Sequence, residues 1–203
     1  MNNGYREVLE EISSENATPG GGAVSAMAIA HGIALARMVA KLTIGREKWQ
    51  QGHDSASRFL VNSDEWIDTS IRLSEEDCIA FESVMQAYRM PKGSEPEKEI
   101  RSLAIKQANY DATKSPLEIM EFGLIALKSI QEMSQTCNSN AITDLGSAVH
   151  IICSALECAS LNVYVNLVSE PEYSSEFNVR VEEIIFLSQQ IKSEVSKIVM
   201  ERM

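Results

Sequence analysis

The chain has 203 residues, 44% of them hydrophobic, with a formal net charge of −11 at pH 7 and an isoelectric point near 4.8. That length suits one large domain with a real core, and residues 1–203 are read as a single domain. The acidity excludes nucleic acid as a main partner, because phosphate binding wants a basic face, and an anionic ligand would need a locally positive pocket.

The helical period runs along the whole chain, and the alternation that marks strands is almost absent. A short first helix carries Val8, Leu9 and Ile12 and ends before Ser13-Ser14-Glu15-Asn16. The second starts near Gly21, runs to about Thr43 and takes Gly45 as its C-terminal cap. On it Gly22, Ala26, Ala30 and Ala34 recur every fourth residue, a side-chain-poor ridge that lets another backbone come close. A third region over 52–89, with room for a break, repeats apolar residues at three- and four-residue steps and ends before Pro91. Ser94 reads as an N-cap, with Pro96 and an acidic first turn, for a helix to about Lys114. Ser115-Pro116-Leu117-Glu118 repeats that signal and predicts a separate helix to about Thr136. Cys137-Asn138-Ser139-Asn140 reads as a polar turn, 141–168 as a long helix, and 179–202, after Pro171, as a final amphipathic helix. The sum is an all-α antiparallel bundle of long helices.

Cys78, Cys137, Cys153 and Cys158 form no C-x-x-C pair and read as reduced, buried thiols of a cytoplasmic protein. The polar N-terminus is not a secretory leader, and the uncharged run 16–36 holds too much Pro, Gly, Ser and Thr for a membrane span. No membrane partner is expected.

Four places could carry chemistry. Pro19-Gly20-Gly21-Gly22 opens the second helix and leaves peptide N–H groups uncovered at the positive end of its dipole, suited to an anion or a planar polar ligand. Tight packing alone could explain a glycine there, but three in a row exceed what a cap needs, at about 1 kcal/mol each against Ala. The basic Lys41, Arg46 and Lys48 follow in the same stretch. Glu76-Asp77 with Phe81 leads on to Tyr88-Arg89-Met90-Pro91-Lys92, where a solvated acidic turn and dipole-complementing cations are the plain alternative. Asn138, Asn140 and Asp144 surround a helix start, where capping is the standard explanation. An acid pointing inward from there would be desolvated, with a raised pKa suited to proton transfer. Asn162 and Asn166, four apart in an apolar run, need partners from other helices or from a ligand. His31 and His150 lie in apolar helices and read as core or interface residues; no metal-site spacing is present, and no Ser-His-Asp pattern is readable.

These motifs resemble, in their order, the cyclodeaminase/cyclohydrolase family that acts on one-carbon folates, which includes the C-terminal domain of formiminotransferase-cyclodeaminase. The signature is Thr18-Pro19-Gly20-Gly21-Gly22 followed by Met38-Val39-Ala40-Lys41-Leu42-Thr43-Ile44-Gly45, then Asp77 with Phe81, Arg101, Pro116-Leu117, Asn138-x-Asn140-x-x-x-Asp144 and Asn162…Asn166-Leu167. It departs at Cys137, where the family usually has glycine. The resemblance implies an all-α, intertwined homodimer that takes a tetrahydrofolate derivative as substrate near the glycine loop, with no bound cofactor and no metal. It implies Asp144 or Asp77 as the acid–base group and Lys41 orienting water or assisting a leaving nitrogen. Pro19, Gly20, Gly21, Gly22, Asn138, Asn140 and Asn166 would hold the pterin or tail, and Arg46, Arg89 and Lys92 would meet the glutamate carboxylates. The 203 residues carry no formiminotransferase segment, so methenyltetrahydrofolate cyclohydrolase is the first expectation. Formimidoyltetrahydrofolate cyclodeaminase is the second, and a non-catalytic folate- or partner-binding helical dimer the third.

Overall fold

The computed structural model describes residues 3–168 and 174–203. Six helices follow one another: α1 (Asn3–Ile12), α2 (Gly21–Ile44), α3 (His53–Arg89), α4 (Glu95–Ser134), α5 (Ile142–Leu167) and α6 (Ser174–Arg202). Short 3₁₀ turns, Glu47–Gly52 and Ser139–Ala141, precede α3 and α5. No strand occurs among the described residues.

The start of α4 follows its sequence signal closely. Ser94 Oγ accepts from the Glu97 N–H, and the Glu97 carboxylate accepts the Ser94 and Gly93 N–H groups at 2.8 and 2.9 Å. This capping box holds the Glu97 carboxyl below its ordinary range. Further along, α4 departs from expectation. It runs unbroken through Pro116, where the sequence predicts a new helix. Proline has no N–H, so the carbonyl four residues before it, on Ala112, loses its helical donor. Asn166 Nδ2, from α5, donates to that carbonyl at 2.7 Å, which is how the helix passes the proline. Likewise α3 has no break over its 37 residues, and α6 begins at Ser174, ahead of the expected 179. Pro171 lies outside the described residues.

The core is built on α2, which packs against α3, α4 and α5. Ala23, Ala26, Ile29, Ile33, Ala36, Val39 and Ala40 on it have no solvent exposure. Its small side chains admit the neighbouring helices closely, and Ile119, Leu127, Ile152 and Leu156 close over it. Both α3 and α5 run antiparallel to it. Asp77 of α3 meets Gly22 at its start, while Gly52, just before α3, meets Thr43 near its end. Asn162 of α5 meets Gly21, while Asn138, just before α5, donates its backbone N–H to Thr43 Oγ1 at 2.9 Å and its Nδ2 to Leu42 O at 3.1 Å. At the far side α6 lies on α4 and α5, and its Arg202 guanidinium closes the carbonyls of Ser134 and Cys137. From Asp77, α3 continues for roughly 18 Å to Arg89, at 1.5 Å per residue, and α4 returns beside it. This arm carries the exposed apolar side chains Phe81, Met85, Tyr88, Ile100 and Leu103.

Two expectations about side chains change. His31 and His150 are not core residues: they are exposed and contact Met27 O and Ser196 Oγ on the outer faces of helices whose other faces are buried. All four cysteines are free, but only Cys137 and Cys153 are buried, with burial pushing the Cys153 thiol up to about 12. Both α2 and the stretch Ser139–Leu167 are long and apolar enough to cross a membrane by length and composition, with mean hydropathies of 1.6 and 1.5. Half of each such window is buried inside the bundle.

Gly52 marks the tightest backbone approach: an added Cβ would lie 2.4 Å from Thr136 O and 2.8 Å from its carbonyl carbon. A backbone cannot swing aside as a side-chain tip does. Gly52→Ala is expected to lower stability by about 2 kcal/mol, measured as a reduced urea midpoint at unchanged slope.

Candidate functional site at the start of α2

Gly20 is the N-cap of α2, in extended backbone and without a side-chain cap. The first peptide N–H groups of the helix are therefore available to whatever approaches. Asp77 approaches. The Ala23 N–H donates to its carboxylate. A Cβ on Gly22 would sit 2.5 Å from both carboxylate oxygens, so glycine is needed here for closeness rather than for an unusual φ. Ser115 Oγ, from α4, donates to Asp77 Oδ1 at 3.4 Å. Burial pushes the Asp77 carboxyl above its ordinary value, and these two hydrogen bonds oppose the rise.

Around this acid the neighbours are small or polar. The amide of Asn162 covers Gly21, 3.1 Å from where a Cβ would be, and donates to Cys158 O at 3.0 Å. Ser25 Oγ donates to Gly21 O at 2.6 Å, and Thr18 Oγ1 to Glu82 Oε1 at 3.4 Å. Burial raises the Cys78 thiol beside Asp77, helped by the negative charges of Asp77, Glu82 and Glu11.

The remaining expected residues gather elsewhere. Lys41 is exposed in the last turn of α2, roughly 28 Å along the helix from Gly22, and Arg46 is exposed just past it. Asn138 is buried there, its Oδ1 accepting the Asn140 N–H at 3.0 Å while its Nδ2 holds Leu42 O, so both ends of its amide secure the turn. Asn140 is exposed. Asp144 stands partly exposed in the first turn of α5 rather than buried in the apolar helix, because the helix rotation turns it away from the face that Leu145 and Ile142 bury. Arg89 and Lys92 are exposed at the tip of the arm. Arg101 returns from α4 to donate to Tyr88 O at 3.0 Å and lies over the Tyr88 ring at 5.6 Å.

One chain thus brings Gly20, Gly21, Gly22, Asp77 and Asn162 together, with Asn166 one turn further along α5, and sets Lys41, Arg46, Asn138, Asn140 and Asp144 apart as a second group. Ser115 is the residue the sequence reading missed. Its one signal, a serine before a proline, is also the signal of a helix start, and that meaning was the simpler one. Cys137 is accommodated without strain, since no described residue other than glycine has a positive φ and the turn needs no glycine. Among the described residues no three His, Cys, Asp or Glu side chains are placed to hold a metal.

Residues 4–183 match the family model described as formiminotransferase-cyclodeaminase, and the chain belongs to that family. It is 35% identical over 158 residues to a methenyltetrahydrofolate cyclohydrolase of Methylorubrum extorquens, covering 78% of this chain and 76% of that protein. It is 30% identical over 163 residues to the formimidoyltransferase-cyclodeaminase of Rattus norvegicus, covering 80% of this chain but 30% of that longer protein. The crystal structure of a formiminotetrahydrofolate cyclodeaminase from Thermotoga maritima has the same fold, with a TM-score of 0.85 over 97% of this chain and 95% of that one, at 23% identity.

A carboxyl whose pKa is higher in the folded than in the unfolded chain gives full stability below the unfolded value, here 3.8, and loses it as pH rises through the folded value. Asp77→Asn keeps an oxygen for the Ala23 and Ser115 donors and removes that loss. The variant is expected to resist urea better than the parent at pH 7, with the gap closing as pH falls towards 3.8. Equal stability at pH 7 would show that the carboxylate's hydrogen bonds offset its desolvation.

Proposed function

We propose that this chain is a cytoplasmic methenyltetrahydrofolate cyclohydrolase, opening 5,10-methenyltetrahydrofolate to 10-formyltetrahydrofolate. The observation that carries it is the half-buried Asp77 carboxyl seated on Gly22 at the start of α2, its pKa raised by burial towards the working range of an acid–base group. The identity to a named cyclohydrolase over most of both chains supports the same reading. Asp77 takes a proton from water as the oxygen adds to the amidinium carbon. It returns that proton to N5 as the carbon–N5 bond breaks, and the second water proton leaves as the formyl carbonyl forms. The negative carboxylate also favours the cationic amidinium. Pro19 and the peptide groups of Gly20, Gly21 and Gly22 face the pterin, and Arg46, Arg89 and Lys92 meet the carboxylates of the glutamate tail.

The working form in this reading is a homodimer. Two antiparallel copies place the Lys41 end of one α2 against the Gly22 end of the other, joining groups that one chain holds roughly 28 Å apart, so that Lys41, Asn140 and Asp144 of a second copy complete the site. The open face of α2, where Ala34, Met38, Lys41 and Leu42 line a shallow groove of about 500 Å³, supports such pairing, as do the apolar side chains of the arm. The second reading, a formimidoyltetrahydrofolate cyclodeaminase, is favoured by the family model and the relatives of that name. The same acid would then protonate departing ammonia. The third is a folate- or partner-binding dimer without catalysis.

Loss of methenyltetrahydrofolate absorbance, compared with buffer alone, is expected to accelerate with the protein and to fall at least about 100-fold in Asp77→Asn. No acceleration, with methenyl absorbance and ammonia appearing from 5-formiminotetrahydrofolate, would give the second reading. Binding without either reaction would give the third. Mixing Asp77→Asn with Lys41→Ala is expected to restore activity to about a quarter of wild type, since half of the dimers would then hold one intact site. No recovery in a mixture that exchanges subunits would confine each site to one chain.

A further inference from the structure

A proline inside α4 leaves the Ala112 carbonyl without a helical donor, and the donor that replaces it comes from another helix: Asn166 Nδ2, at 2.7 Å. The site is buried, with Ala112, Thr113 and Ser115 all 7% exposed or less and Pro116 buried beside them, so water is a poor substitute there. The residue before a proline is also pushed away from helical backbone, yet Ser115 is helical. Its hydroxyl is the α4 group on Asp77. One turn earlier on α5, Asn162 covers Gly21, beside the glycine on which the Asp77 carboxylate rests. A single face of α5 therefore stands behind both supports of the acid.

We propose that Asn166 is a positioning residue of the folate reaction: it supplies the hydrogen bond that Pro116 denies Ala112, and so keeps the Ser115 hydroxyl on the Asp77 carboxylate. The inference rests on Asp77 being the acid–base group proposed above. It gives Asn166 a role through α4 rather than through contact with the pterin. The groups facing Asp77 leave Ser115 as the adjustable one. On α3 Cys78 is its titratable neighbour, and Cys78 in turn feels the charges of Asp77, Glu82 and, from α1, Glu11. The residues that α2 and α5 present, Gly21, Gly22, Ala23 and Asn162, are uncharged. On α4, Lys114 is paired with Glu118 at 2.8 Å.

The test is the pH profile of kcat/KM for methenyltetrahydrofolate hydrolysis in Ser115→Ala, Asn166→Ala, Pro116→Ala and Pro116→Ala/Asn166→Ala. Removing the Ser115 donor lets the Asp77 pKa rise, so the limb that Asp77 controls is expected to move up by roughly half a pH unit in Ser115→Ala. Asn166→Ala is expected to move it in the same direction, with kcat lowered about tenfold. Pro116→Ala restores a backbone N–H to the Ala112 carbonyl, so in that background Asn166→Ala is expected to leave limb and kcat unchanged. A limb unmoved by Asn166→Ala, or losses that simply add in the double variant, would overturn the proposal. If Asn166→Ala does not fold while the double variant folds with the parent profile, the coupling is upheld; failure of both to fold overturns it. Asp77→Asn run alongside separates the two claims: full activity there removes the role of Asp77, whereas an inactive Asp77→Asn beside a silent Asn166→Ala removes only that of Asn166.

Discussion

The absence of side chains at the start of α2 is the constraint on which the rest of this bundle depends. Gly21 and Gly22 are covered by Asn162 and Asp77, and any Cβ on Gly22 would drive the carboxylate away. Close approach brings a helix backbone, a carboxyl and two polar side chains within touching distance while removing the acid from water. A carboxyl in that position is also a weak point, because its charge is disfavoured where it lies. The rest of α2, with Ala26, Ala36 and Ala40 fully buried, carries the same closeness down the bundle and fixes the register of α3 and α5 against it.

Much of this was legible in the sequence, for local reasons. The N-cap at Ser94 and the glycines at Gly21 and Gly45 act through neighbours in the chain, so their letters suffice. Ser115-Pro116 failed because the same two letters serve a helix start and a helix interior, and only a donor some fifty positions away, Asn166, decides between them. The nearness of Asp77 to Gly22 could not be read either, since nothing local sets how far α3 slides along α2. Asp144 and the two histidines keep apolar company in sequence, which suggests burial. On a helix the rotation matters more, and it turns all three towards solvent.

Charge is distributed unevenly over this acidic chain. Glu11, Asp77 and Glu82 lie near the glycine loop, whereas Arg89, Lys92 and Arg101 gather on the arm, roughly 18 Å further out. For a substrate with a cationic ring at one end and carboxylates at the other, that ordering matches sign for sign. Under the proposed function the net charge of −11 would oppose only the tail, which the arm would receive.

The passage of α4 through Pro116 also has a historical consequence. A chain that gained the proline first would have carried an orphaned, buried Ala112 carbonyl, a handicap of about 1–3 kcal/mol, whereas an asparagine at position 166 gained first would have done no such harm. The accessible order of substitution is therefore asparagine, then proline. Once both are present, neither is free to drift alone, and descendants of this sequence should exchange the two positions together or keep both.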